Sequence, residues 1–243
     1  MATVYDLTEP YLATFTPVPP VAEGVCDICH GAPGPGWSRC WSCTQTLQQV
    51  SRPITRVIPI TLCERMGPMH TLLRKYKDGP AELRCRFQPR VAALLARFLQ
   101  QHGRCLGAWD TITSVPSGRG RGGAHPLVSV VGMVSDLAKL HRDVLRAGPH
   151  PPSHLAGSDQ GFVVTANVRD RQVLLIDDTF TSGAGVQSAA SALRMAGAIV
   201  PAAVVIGRYI DPDFNQPSRE LWNLAHERSF SFERCCLCDA PWS

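Results

Sequence analysis

The stretch of this chain densest in reactive groups is Val173-Leu174-Leu175-Ile176-Asp177-Asp178-Thr179-Phe180-Thr181-Ser182-Gly183-Ala184-Gly185. Four apolar residues lead into two adjacent carboxylates, and a small, hydroxyl- and glycine-bearing segment follows. Carboxylates accept hydrogen bonds from sugar hydroxyls and repel phosphate. The segment after them does the reverse. Where it opens a helix, its backbone N–H groups and the helix dipole converge on an anion, and Thr181 and Ser182 add hydroxyl donors. The combination asks for a diol beside a phosphate, which a phosphorylated ribose satisfies. A buried strand ending in Asp, followed by a Thr/Ser helix cap, is the plainer reading of the same residues. Two consecutive like charges and a surplus of anion donors weigh against it.

A second constellation lies near the N-terminus, where Cys26, Cys29, Cys40 and Cys43 form two C-x2-C pairs around a Gly/Pro-dense interval. Four thiolates in two such knuckles close a tetrahedral zinc site, and a closed site is structural because no position remains for substrate. The interval has too little apolar content to fold without such a centre. His30 directly follows Cys29, and the fourth cysteine makes it unnecessary as a ligand. In the tail, Cys235 and Cys238 form a further C-x2-C pair. Cys63, Cys85 or Cys105 could complete it, but half a site binds metal weakly, so unligated thiols are the simpler expectation.

These groups need elements to position them. Val173 to Ile176 is continuously apolar, as expected of a strand covered on both faces, and predicts a strand Val173–Asp177 that delivers its carboxylates to the crevice at the carboxyl edge of a parallel sheet. The pattern predicts a helix over about Ala184–Ala196, capped by Gly197, then an apolar strand Ala198–Ile206. Upstream, Val91, Leu94, Leu95, Phe98 and Leu99 mark one face of a helix, and Leu72, Leu73 and Tyr76 a shorter one. Trp109–Val115 reads as a strand stopped by Pro116, Pro126 opens a helical pattern through Leu140, and Phe162–Ala166 reads as a strand. The fold expected is α/β, a mainly parallel sheet flanked by helices, with a small N-terminal zinc ribbon. Residues 1–20 read as an irregular lead-in, 21–50 as the ribbon and 55–243 as the large domain.

With 243 residues, 44% of them apolar and 18% charged, the chain can bury a sizeable core and is not a disordered tail. Its longest uncharged apolar run, Ala198 to Ile206, is far short of the roughly 20 residues of a membrane span. The start has neither a basic stretch nor an apolar h-region, so a cytoplasmic location is expected, where ten cysteines stay reduced or bind metal. The net charge of +4 is local in origin: Glu64 to Arg90 holds seven basic residues against three acidic ones. That suits a solvated helix face or a polyanion.

The thirteen positions from Val173 to Gly185 resemble the signature of type I phosphoribosyltransferases. The whole chain, from Cys26 to about Ile206, is similar to the ComF/GntX-like family, which joins a zinc ribbon to such a domain. Leu73-Arg74-Lys75-Tyr76-Lys77 resembles the family's Lys-Tyr segment, and Ser114-Val115-Pro116-Ser117 its Val-Pro segment before an arginine-rich turn. The resemblance implies that Asp177 and Asp178 bind the ribose hydroxyls of phosphoribosyl pyrophosphate, which arrives with Mg²⁺. It further implies that Thr179 and the loop Thr181, Ser182, Gly183, Ala184 and Gly185 border the 5′-phosphate. Pro116, Ser117, Gly118 and Arg119, with Arg121 nearby, would contact pyrophosphate. Many members end the phosphate loop with a hydroxyl residue where this chain has Gly185, which removes one donor. The loop Gly148–Gly161 carries no Arg or Lys where family members are commonly arginine-rich.

Two functions are carried forward. One is a phosphoribosyltransferase-like enzyme that passes the ribosyl phosphate to an unidentified nucleophile; neither His125 nor His141 has a spacing that commits it to general-base work. The other is a non-catalytic protein that binds phosphoribosyl pyrophosphate or another ribose phosphate, or handles single-stranded DNA, since the resemblance implies DNA uptake for some members. Trp37 and Trp41 beside the ribbon either pack around the knuckles or stack on bases.

Overall fold

The computed structural model of the protein describes residues 3–117 and 125–239. The chain opens on a helix, α1 (Val4–Thr8), started by a capping box: Thr3 Oγ1 accepts from the Asp6 amide at 3.1 Å, and the Asp6 carboxylate accepts from the Thr3 amide at 2.7 Å. A 3-10 turn follows over Glu9–Thr14. The lead-in is therefore not irregular. Its order comes from a distant residue, the buried Arg97. That guanidinium donates to Thr8 Oγ1 at 2.8 Å, pairs with Glu9 at 2.7 Å and stacks on Tyr5 and Phe232. Local periodicity carries no trace of such a contact.

After α2 (Trp41–Gln48) come the strand β1 (Val57–Glu64), α3 (Pro68–Asp78) and α4 (Ala81–His102). Pro68 starts α3 in the first turn, where its missing N–H costs nothing, and Gly79-Pro80 ends it. A 3-10 turn over Gly103–Leu106 leads to β2 (Thr111–Ser114), then α5 (Pro126–Gly132) and α6 (Ser135–Leu140). The single helical pattern expected to run through Leu140 is thus broken, at an extended Val134. β3 (Leu145–Ala147) and β4 (Phe162–Val164) pair antiparallel as a separate ribbon, so the strand expected at Phe162–Ala166 is not part of the main sheet. β5 (Val173–Phe180), α7 (Ala184–Met195), β6 (Ala203–Ile210) and α8 (Gln216–His226) complete the order.

β1, β6, β5 and β2 lie side by side in that order, all parallel. The expected α/β class, a mainly parallel sheet flanked by helices, is what the chain adopts. β1, which carries Pro59, falls in a stretch to which the sequence pattern assigned no element. It sits at the edge of the sheet, where a proline is tolerated. β6 starts five residues later than the apolar run suggested, beyond Pro201, which cannot donate to a ladder.

Side-chain alternation divides the sheet into two packed faces. Ile58, Ile60, Leu174, Ile176, Val204 and Ile206 face α3, α4, α5 and the C-terminal Phe232. Val57, Val173, Leu175, Ala203 and Val205 face α7 and the cysteine unit, so Cys26, Ile28, Cys29, Cys40 and Cys43 share a core with the strands. Gly207 lets α3 approach β6: a Cβ there would stand 2.7 Å from Leu73 Cδ1. Among the described residues, no helix is long and apolar enough to cross a membrane.

Candidate functional site

Asp177, Asp178, Thr179, Thr181, Ser182, Gly183, Ala184 and Gly185 all border one cleft of about 680 Å³, together with Pro116 and Ser117 beyond β2. That volume lies within the range of small-molecule sites. Gly118 and Arg119, with Arg121, fall outside the described residues. The cleft sits where β5 and β2 deliver their C-terminal ends, the usual ligand crevice of a parallel sheet.

β5 does not stop at Asp177; it runs through both carboxylates to Phe180. Adjacent strand residues point to opposite faces, so the two are not equivalent, contrary to the expectation that both simply face solvent or substrate. Asp178 continues the face of Leu174 and Ile176 toward α3. It is buried, accepting from the Tyr76 hydroxyl at 2.5 Å and from Lys77 Nζ at 2.9 and 3.0 Å. Burial opposes its charge, but the Lys77 ammonium and the Tyr76 hydroxyl prevail and hold its carboxyl below the ordinary range. Asp177 continues the other face, half-buried, with Oδ1 accepting from the Asp178 amide at 2.8 Å. Desolvation, and then the charge of Asp178, push its pKa up to about 8. Near neutral pH the pair carries about one negative charge: Asp178 is a fixed carboxylate and Asp177 a neutral acid that can both donate to and accept from a sugar hydroxyl.

The turn after β5 is built on Gly183, whose φ of +86° is left-handed and where a Cβ would collide with the Phe180 ring. The turn aims the first amides of α7 at the cleft, and α7, at twelve residues, is long enough for its dipole to favour an anion there. Thr181 is exposed at the cleft wall, whereas Ser182 is buried and its hydroxyl donates to the His154 carbonyl. The Gly148–Gly161 loop thus reaches the cleft with Pro152, Ser153 and His154. It is tied down behind: Asp159 accepts from the hydroxyls of Ser51 and Ser191, each at 2.5 Å.

Sequence reasoning missed the wall that α3 contributes. His70, Arg74 and Lys77 recur at helical spacing on one face of α3, and all three border the cleft. Burial, and next Arg74 and Lys77, lower the pKa of His70. The signal was present in Arg74-Lys75-Tyr76-Lys77, where Leu73 and Tyr76 are core and the residues between them are not. His125 also borders the cleft and caps α5 through Nδ1, which accepts from the Leu127 amide at 3.2 Å. His141 instead meets Ser114 Oγ at 3.2 Å, away from the cleft wall.

On the sheet face shared with α7, the sulfurs of Cys26, Cys29, Cys40 and Cys43 all lie within 4.8 Å of one another, with Cys29 and Cys40 Sγ 3.7 Å apart. A tetrahedron of about 2.3 Å Zn–S bonds has edges of about 3.8 Å, so this group can hold a metal such as zinc. His30 turns away, its Nδ1 2.9 Å from the Pro19 carbonyl. Sequence spacing could not reveal Arg208 of β6, whose buried Nε donates to Cys29 Sγ at 3.2 Å. Burial works against that guanidinium, but the sulfurs of Cys29, Cys40 and Cys43 outweigh it and raise its pKa. A cation at this position offsets the excess negative charge of a four-thiolate centre. Both oxygens of Asp178 already accept from Lys77 Nζ, so a divalent cation there would have to displace that ammonium. Trp37 and Trp41 do not pack around the knuckles; they are 71% and 61% exposed.

No family model matches the chain, and no curated protein matches it.

Proposed function

We propose that the cleft binds a 5-phosphoribose, with phosphoribosyl pyrophosphate as the ligand of first choice, and that the protein is a phosphoribosyltransferase-like member of the ComF/GntX-like type. One observation carries this reading: β5 places Asp177 and Asp178 against the same cavity as the Gly183 turn and the start of α7. A neutral Asp177 takes a ribose hydroxyl without repelling the phosphate beside it, while the turn and α7 amides receive that phosphate. Arg74 of α3, beside the Lys77–Asp178 pair, suits the pyrophosphate. Transfer would break the bond between the anomeric carbon and pyrophosphate oxygen, with the electron pair leaving on pyrophosphate, and form a new bond to a nucleophile. Holding sugar and phosphate fixed while cations meet the departing charge is what this wall can contribute. Mg²⁺ would accompany the pyrophosphate as its counter-ion, and no step here depends on it.

Titration calorimetry of the purified protein with phosphoribosyl pyrophosphate and Mg²⁺ tests the reading. Binding heat is expected from the unaltered chain and its loss from Asp177→Asn/Asp178→Asn; equal heats from both, or none from either, overturn it. A second reading, single-strand handling, rests on the exposed rings of Trp37 and Trp41. It requires salt-sensitive affinity for an oligothymidine that survives the double Asp→Asn change and is lost in Trp37→Ala/Trp41→Ala.

A further inference from the structure

The C-terminal tail brings together a second cluster that spacing along the chain conceals. After α8 ends at His226, residues 227–239 contain no helix or strand, yet Phe232 and Cys236 are buried in the main core. Beside them Cys235 and Cys238 face His102, the last residue of α4, and Cys105 in the 3-10 turn after it. The four candidate ligand atoms all lie within 4.8 Å of one another. Individual separations are 3.4 Å between the sulfurs of Cys235 and Cys238, 3.6 Å from Cys238 Sγ to His102 Nδ1, and 3.9 Å from Cys105 Sγ to the same nitrogen. These approach the edge of about 3.8 Å expected for a zinc tetrahedron.

Two further observations match the needs of a metal. His102 Nε2 lies 2.7 Å from the Phe232 carbonyl, which can only accept, so Nε2 carries the proton and Nδ1 turns its lone pair to the three sulfurs. Fixing a ligand histidine through its other nitrogen is the usual outer-shell arrangement. The tail also turns as the N-terminal knuckle does: the Asp239 amide donates to the Cys235 carbonyl at 2.9 Å, and the His30 amide to the Cys26 carbonyl at 3.0 Å, the same four-residue offset. Cys238 is exposed and Cys105 half-buried, which gives an ion a way in, whereas Cys235 and His102 are buried.

We propose that His102, Cys105, Cys235 and Cys238 form a second, structural zinc site that fastens the C-terminal tail to the end of α4. Three thiols lose their protons to solvent as three Zn–S bonds form, the neutral imidazole supplies the fourth bond, and no electron is transferred. With four protein ligands the site is closed to substrate. It joins segments more than a hundred residues apart in the chain, as the distance from Cys105 to Cys235 requires.

The test is metal stoichiometry of the full chain, purified reduced with zinc present, by elemental analysis and native mass spectrometry. Two zinc ions per chain are expected, one for each cluster, falling to one in Cys235→Ser/Cys238→Ser. The cobalt-substituted protein minus that variant should show the absorption of a tetrahedral three-thiolate site. Should the variant fail to fold, alkylation of the unaltered protein decides: with zinc, Cys238 is protected while the exposed Cys85 reacts, and a chelator removes the protection. One zinc per unaltered chain, Cys238 reacting as fast as Cys85 with zinc present, or a Cys235–Cys238 disulfide under the same reducing conditions would each overturn the proposal.

Discussion

Replacing Asp177 with Asn removes an acid whose pKa the fold has pushed from 3.8 up to about 8 while keeping an oxygen for the Asp178 amide. The unfolded chain ionises this group near its ordinary value, whereas the folded chain holds the proton until about pH 8. Folded-state stability attached to Asp177 is therefore fully present below about pH 4 and is lost progressively as pH rises toward 8. At about 1.4 kcal/mol per unit, the shift sets an upper bound of about 6 kcal/mol. Asp177 is half-buried and beside solvent, so screening leaves about 2–3 kcal/mol as the working expectation. Asn does not titrate. The variant should match the unaltered protein most closely at the acid end and become the more stable of the two as pH rises, with the gap widening by about 2–3 kcal/mol in all between about pH 4 and about pH 8 and levelling off above. Urea denaturation followed by circular dichroism, at fixed zinc across that window, measures the gap. A gap that stays flat with pH, or that narrows, refutes the placement of Asp177 as a neutral acid beside a fixed carboxylate.

Gly185 stands where a Cβ would find ordinary contact, its nearest neighbour being Val115 Cγ1 at 3.7 Å, so Gly185→Ser adds a hydroxyl to the loop without a clash. One additional hydrogen bond predicts affinity for ribose 5-phosphate raised by about two- to tenfold in calorimetry; unchanged affinity would place the anion elsewhere. Arg208→Met keeps much of the side-chain volume and deletes the charge beside Cys29. Zinc should then leave the N-terminal cluster at least about tenfold faster under a chromophoric chelator, since a buried hydrogen bond to a charged sulfur is lost. Equal release rates would assign Arg208 to packing alone.

Local pattern reached a good part of this protein. The apolar run before Asp177, the helix after Gly183 and the paired cysteines Cys26/Cys29 and Cys40/Cys43 were legible because each signal spans a few residues and reflects burial or spacing that the chain itself imposes. The class of the fold followed from the alternation of such runs. What the chain alone could not decide was every relation between distant segments. Strand alternation sends Asp177 and Asp178 to opposite faces; Tyr76 and Lys77, about a hundred positions away, hold Asp178 as an anion, and burial followed by that charge raises the pKa of Asp177. Arg97 orders the lead-in from α4, and Arg208 reaches the sulfurs from β6. The tail cysteines look like half a site until α4 supplies His102 and Cys105. In each case the deciding energy is electrostatic or a hydrogen bond, which depends on distance in space and is indifferent to distance along the chain. Sequence determines which residues are able to take part; packing of the sheet against its helices decides which of them meet.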